Sequence, residues 1–391
     1  DAVFFQMYKT GIARVWKSLL EEWVANGFAK QIIVLDRANT APKIAGIRYR
    51  IVPAYDYNKT DSDRLILQQI CDEEKAEIFI STYYTTPRST ASVFMGYDMI
   101  PEVMQWDLAH PMWREKHYAI RHASAYITIS ENTARDLKKV FPNTSAKPIT
   151  VAECGVKSQF SPASTEEINK FKTQYGIAKP YFILVGASGS YKNSILFFQA
   201  FAQFENKHNF DIVCTGASNF TADELKAFIG DSTLHKLYLN DEELRLAYAG
   251  AVALVYPSKY EGFGLPIIES LACGCPVITC ANASIPEVAG EAVIYVKDDD
   301  ANALAKALSE IQKSEIRQSL ITAGLAQTKK FSWSKMADIV SSVLIETASN
   351  TNITKYQQNP PAQIPLDQIR LLRQRIAQQW LNLPLNQLES T

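Results

Sequence analysis

The chain has 391 residues, longer than one domain usually runs; at roughly 150 residues per domain, two are expected. A hydrophobic fraction of 47% supplies two ordinary cores, and a net charge of −1 offers no basic face to nucleic acid, which excludes that class of partner. No apolar run reaches the ~18 residues that a membrane span needs, and no signal peptide is recognisable. Six cysteines (71, 154, 214, 273, 275 and 280) fall mostly in apolar, strand-like runs, the pattern of buried free thiols in a reducing, cytoplasmic compartment. The five histidines form no cluster, so no metal centre is expected.

Asp1 stands inside an apparent strand over residues 2–5 with no initiator methionine, so a few residues are expected upstream. A loop containing Gly11 and Arg14 leads into a helix that runs through Trp23. A glycine at the first strand-to-helix turn is where a doubly wound domain presents backbone to a ligand. Strands are expected over 31–35, 49–52 and 78–81, alternating with helices such as 61–74, which has Asp61 or Ser62 as its cap; the alternation predicts a parallel sheet. Residues 93–110 hold Tyr97, Asp98, Trp106, Asp107 and His110. His110, His117 and His122 read as surface or satisfied histidines rather than catalysts. A buried strand is expected over 125–130, with Ser130 capping the helix after it, and the last strand of the first domain over 148–152. Residues 161–175 are polar enough to form the hinge.

The second half opens with a strand over 181–186 that ends on Gly186, followed by a helix over 195–206. Further strands are expected over 210–216, 251–256 and 292–296. Asp241, Glu242 and Glu243 suit the positive start of a helix and read as structural; Asp298, Asp299 and Asp300 read as a solvated helix start. Between Tyr256 and Glu287 lies the stretch that organises the chain. Gly262 and Gly264 permit close approach of backbone to a ligand. Pro266 suits the first turn of a helix, Gly274 its end, and Pro276 bars its continuation. The free amides of Phe263, Gly264 and Leu265, at the positive end of that helix, suit phosphate. Glu261 and Glu269 flank them, and a carboxylate there accepts hydrogen bonds from sugar hydroxyls. Either glutamate alone would read as a solvated carboxylate. Phosphate with sugar on both sides describes a nucleotide sugar.

Glu261 and Glu269, with seven residues between them around Gly262-Phe263-Gly264-Leu265-Pro266, resemble the Glu-x7-Glu signature of retaining glycosyltransferases of the glycosyltransferase 4 type, the glycosyl transferases group 1. The likeness extends through Glu242-Glu243-Leu244, Tyr248, residues 253–258 and residues 285–290, and residues 236–239 resemble the family's strand whose end packs the nucleotide base. It implies an α/β chain of GT-B architecture, with two Rossmann-like domains facing across a cleft. Residues 1–162 would form the acceptor side, 163–335 the nucleotide-sugar side, 336–349 a helix crossing back, and 350–391 a linker and amphipathic helix. It implies a retaining, metal-independent hexosyltransferase of surface polysaccharide synthesis, whose acceptor is a glycan or a lipid-linked oligosaccharide met at the inner face of the plasma membrane. By the same resemblance Gly11, Arg14, Gly186, Lys192, Leu239, Glu261, Gly262, Phe263, Gly264, Leu265 and Glu269 bind the donor. Glu261, Asp98 and Lys192 act in transfer, Lys192 at the distal phosphate where charge grows as the sugar departs. The chain departs from the family at Tyr97, where histidine is common, and at Ala187, where arginine often follows the strand. A Tyr97 hydroxyl can hydrogen-bond a sugar but is no base near neutral pH. UDP-glucose is the first choice of donor and GDP-mannose the second. An epimerase or hydrolase of the same shape and a non-catalytic nucleotide-sugar-binding subunit are the rivals.

Overall fold

The computed structural model describes residues 1–8, 10–186, 190–216 and 222–350, and residues 1–348 form one compact unit. Ala187 and, past Asn350, the expected linker and terminal helix lie outside the described residues. The first half contains β1 (Ile33–Arg37), β2 (Arg48–Val52), β3 (Phe79–Ile80), β4 (Ser92–Gly96), β5 (Ala125–Thr128) and β6 (Ile149–Val151). The second contains β7 (Tyr181–Val185), β8 (Asp211–Thr215), β9 (Leu234–Leu237), β10 (Ala253–Tyr256), β11 (Val277–Cys280) and β12 (Ile294–Val296). All pairings among them are parallel. Helices return the chain from one strand to the next, and strands covered on both faces become continuous apolar runs, as in Tyr181-Phe182-Ile183-Leu184-Val185.

In the second half the strands lie in the order β12-β11-β10-β7-β8-β9. Tyr181 and Ile183 of β7 join one core, with Ile267, Ile268 and Leu271 of the Leu265–Ala272 helix. Phe182 and Leu184 join the other, with Leu196, Phe197 and Phe201 of the Ser194–Gln203 helix. The sheet is therefore wound on both faces, and strand order reverses between β7 and β10. Ligands of such sheets bind outside the carboxyl ends of the strands at that reversal.

The first half has a β3-β4-β5-β6 sheet and a separate β1-β2 pair. Residues 1 and 2 bridge them: the Ala2 amide donates to the Leu35 carbonyl at 2.9 Å, and the Thr82 amide to the Asp1 carbonyl at 2.8 Å. The strand expected over 2–5 does not form. The chain turns after those residues into a short helix, Phe4–Met7, whose first amide is taken by Thr82 Oγ1 at 2.8 Å.

Three other expectations are corrected. Residues 161–175 are not merely a polar hinge: Thr165–Gln174 is a helix, started by a reciprocal cap between Ser164 and Glu167. The helix expected over 61–74 spans Thr60–Glu73 with Asp61 and Ser62 in its first turn, so neither is the cap. β9 begins two residues before the predicted 236–239, because its register with β8 pairs Thr215 with Leu237 and runs out there. All six cysteines are buried and free.

The last described helix, Trp333–Asn350, packs back on the first half, where Trp23 Nε1 donates to the Ala337 carbonyl at 3.1 Å. Gly155 makes this return possible, since a Cβ there would stand 2.2 Å from the Trp333 backbone nitrogen. Gly155→Ala is expected to lower the unfolding free energy by about 1–3 kcal/mol, as overpacking does, and urea denaturation would measure it.

Candidate active site

At the reversal point, β7 ends in Gly186, whose φ of +67° turns the chain out of the sheet. Gly216, at the end of β8, lies against it: a Cβ on Gly216 would meet Gly186 Cα at 3.5 Å. The chain past Gly186 reaches Lys192 in the short turn Ser190–Lys192. Asn193 fixes that turn from a left-handed backbone conformation (φ 52°), donating from Nδ2 to the carbonyls of Pro257 at 3.2 Å and Asp298 at 2.8 Å. Lys192 Nζ is thereby aimed at Glu261 Oε1, 2.7 Å away, and also donates to the Tyr256 hydroxyl at 2.8 Å. Burial opposes the charge on Lys192, yet Glu261, with Tyr191 and Asp98, outweighs it and raises the ammonium above its ordinary range.

The glycine loop is pinned from below and from the opposite half. Ser284 Oγ donates to the carbonyls of Glu261 at 2.8 Å and Phe263 at 3.1 Å. Gly262 packs on the backbone after β4 so closely that a Cβ would lie 1.8 Å from the Tyr97 carbonyl oxygen. Thr133 Oγ1 is 3.4 Å from both the Tyr97 and the Gly262 carbonyls. Gly264, at φ +104°, opens the Leu265–Ala272 helix, and Gly11 faces Leu265 at ordinary contact distance. Glu287 clasps the halves together as well, accepting from the backbone amides of Glu131 and Asn132, each at 2.8 Å.

Glu269 lies one turn into that helix and is only 2% exposed. Its Oε1 accepts a hydrogen bond from Arg14 Nη1, a side chain of the first half. Arg14 Nη2 donates to Asp241 at 2.5 Å, and its guanidinium stands 5.5 Å from the centre of the Phe160 ring. Tyr248 donates to Glu269 Oε2 at 3.5 Å. Burial pushes the Glu269 carboxyl up to about 7, against the pull of Arg14. Arg14 is itself held more firmly protonated, the charges of Glu269 and Asp241 overcoming its own burial.

Asp98 follows Tyr97 at the edge of the same loop. Its Oδ1 accepts the Ile100 amide at 3.0 Å, and its carbonyl accepts from Lys116 Nζ at 3.0 Å. Burial raises its carboxyl above the ordinary range, with the charges of Glu102 and Glu261 adding to the effect.

The expected residues thus form two groups on either side of the glycine loop: Lys192, Glu261 and Asp98 on one, Arg14 and Glu269 on the other. Leu239 lies past the end of β9, half-buried against the core, with no contact to either group among those described. Tyr97 does not offer its hydroxyl to a ligand. That group accepts from Trp16 Nε1 at 2.5 Å and donates to the Thr82 carbonyl at 2.7 Å, inside the core. Asp241, read as part of a helix start, is the second acid on Arg14, and Tyr191, Tyr248 and Tyr256 line the groups. Tyr248 and Tyr256 fall in stretches that carry the family likeness, whereas only the fold brings Asp241 and Tyr191 there. Ser130 accepts the Thr133 amide, the capping role expected of it. His117 meets Glu102 at 2.9 Å and His122 the Thr90 carbonyl at 3.0 Å, both satisfied as expected. Asp300 caps a helix and Asp298 holds Asn193 and Asn282.

This fold is GT-B, two Rossmann-like halves enclosing the loop between them. Residues 165–326 match the family model described as glycosyl transferases group 1. The chain is similar to the O-antigen chain mannosyltransferase B of Escherichia coli, at 30% identity over 60% of this chain and 63% of that protein. It is 29% identical to the O-antigen chain mannosyltransferase RfbU of Salmonella typhimurium, over 50% of this chain and 53% of that protein. The matched stretch therefore spans less than two thirds of either relative. The lipopolysaccharide glycosyltransferase WaaG superposes with a TM-score of 0.67 at 15% identity, covering 86% of this chain and 97% of its own. Anabaena HepE in complex with UDP-glucose superposes with a TM-score of 0.69 at 13% identity, covering 87% and 97%.

Tyr97→Phe is expected to lower unfolding free energy by about 1–3 kcal/mol, because Trp16 loses its buried acceptor. Ligand affinity should stay unchanged, a combination read by denaturation beside calorimetry.

Proposed function

We propose that the chain is a retaining glycosyltransferase that moves a hexose from a nucleotide-diphosphate sugar to a glycan acceptor in surface polysaccharide assembly. The observation that supports it most is the convergence on one glycine-opened helix start of two buried carboxylates, each held by a cation. Mannose carried by GDP is the donor we favour, because both relatives described above are O-antigen mannosyltransferases. That reverses the order preferred on sequence alone; UDP-glucose stands second.

In this reading the diphosphate lies on the amides of Phe263, Gly264 and Leu265, with Lys192 at its distal phosphate and Arg14 beside it. Both cations are engaged by carboxylates in the free protein, so donor binding is an exchange of partners. Arg14 passes from Glu269 to phosphate, and Glu269 accepts the ribose hydroxyls instead. Glu261 and Asp98 accept hydroxyls of the transferred sugar and fix its orientation. The bond from the anomeric carbon to phosphate then breaks as the acceptor oxygen bonds the same face of that carbon, and the acceptor proton passes to the departing phosphate. Lys192 and the helix amides stabilise the charge that grows there, so no divalent metal is assigned a role. A lipid-linked acceptor would bring the protein to the inner face of the plasma membrane; among the described residues no helix is long and apolar enough to cross one.

Calorimetric titration with GDP and UDP, followed by assay of acceptor-dependent nucleotide release, tests the proposal. Tight binding of one nucleotide without release on adding acceptor would favour the non-catalytic rival. Glu269→Ala should weaken nucleotide binding at least tenfold, in line with about 1.5–3 kcal/mol for hydrogen bonds to a charged group. Glu261→Ala should leave that affinity intact and slow transfer roughly a hundredfold. Equal nucleotide affinity in wild type and Glu269→Ala would refute the assignment.

The pH dependence has a definite sign. Only ionised Glu269 accepts both ribose hydroxyls, and its carboxyl titrates at about 7 in the free protein. Nucleotide affinity should therefore rise with pH up to about 7 and level off above it. Glu269→Gln should abolish that slope.

A further inference from the structure

Beside the charged groups, one large side chain stands uncovered. Trp106 is 38% exposed, in the loop between the Ile100–Val103 and Pro111–His122 helices of the first half. The loop is well held: the Trp106 amide donates to the Pro101 carbonyl at 2.9 Å, and Asp107 Oδ1 accepts the Ala109 amide at 2.9 Å. The indole leans on two rings, with centroids 5.9 Å away at Trp113 and 6.3 Å away at Tyr191. Tyr191 belongs to the opposite half and continues into the site, since Lys192 Nζ lies 5.2 Å from its ring centre. The charges that act on the Tyr191 hydroxyl are those of Lys192, Glu261 and Asp98, not Glu269. The aromatic row therefore adjoins the end of the loop assigned above to the transferred sugar, and not the ribose end.

A pyranose ring has hydroxyls around its rim and a face of C–H groups. Such a face is desolvated by a flat aromatic ring, while nearby carboxylates and phenols take the rim hydroxyls. An uncovered indole leaning on Tyr191, whose hydroxyl lies in the field of Asp98 and Glu261, offers both features. We propose that Trp106, backed by Trp113 and Tyr191, is the stacking platform for the acceptor's terminal sugar, holding it against the reacting centre. The inference rests on the glycosyltransferase reading and adds where the acceptor binds. Since the platform joins residues of both halves, it is complete only when they are closed.

The test compares wild type, Trp106→Ala and Trp106→Phe, with a mannose trisaccharide as acceptor probe. In steady-state transfer, Trp106→Ala should raise the acceptor KM at least tenfold with kcat changed less than threefold. Trp106→Phe should restore most of the loss, and GDP affinity should be the same in all three proteins. Saturation-transfer NMR reads trisaccharide binding without turnover, and the signal should be lost in Trp106→Ala and kept in Trp106→Phe. An unchanged KM, undiminished trisaccharide binding in Trp106→Ala, or no binding by the wild type would overturn the platform. Failure of the glycosyltransferase reading shows separately, as wild-type protein that binds no nucleotide or releases none when acceptor is added. The NMR arm still decides the platform in that case.

Discussion

Two carboxylates buried at one helix start set the terms for the rest of the structure. Removing a carboxylate from water costs several kcal/mol, and in a protein it is tolerated only with a cation and hydrogen bonds in place. Glu261 has Lys192, delivered by the turn after β7. Glu269 has Arg14, which arrives from the other half of the chain. The second half alone would leave Glu269 buried without its cation, so the two halves are coupled by electrostatics as well as by packing. The close contact between Gly262 and the Tyr97 carbonyl sets how near they come.

Under the function proposed above, the same arrangement would admit a phosphate although four acids stand near it. Glu261 holds Lys192, and Glu269 with Asp241 holds Arg14, while the amides at the start of the Leu265–Ala272 helix supply positive potential. In that reading, donor binding replaces carboxylate by phosphate on cations already positioned beside the loop. Preorganisation of this kind lowers the reorganisation needed when charge develops on a leaving group.

The second half was readable because its physics is local. β7, β8 and β10 are short apolar runs ended by glycine or proline, and Gly264, Pro266 and Gly274 each serve the turn or helix end that their chemistry suggests. Glu261, Glu269 and Lys192 were legible as a phrase. The misreadings came where distant chain decides. The segment at 2–5 has strand composition but is redirected by Thr82, some 78 residues on. Tyr97 looked available because nothing nearby reveals that Trp16 claims its hydroxyl. Asp241 looked like any acid in a first helical turn, and only the meeting of the halves places it on Arg14. Polar residues over 161–175 suggested a hinge, although Ser164 and Glu167 are three apart, the spacing of a reciprocal cap.

The returning helix has a consequence for how the chain is made. Trp23 gives its indole N–H to Ala337, a partner 314 residues later, and Arg14 waits 255 residues for Glu269. A ribosome adding about 5–20 residues each second leaves this surface of the first half uncovered for tens of seconds. Until residue 337 emerges, Trp23 lacks its final partner. Aggregation during synthesis, more than instability of the finished fold, is thus the hazard this architecture creates, and a chaperone that shields the nascent first half would relieve it.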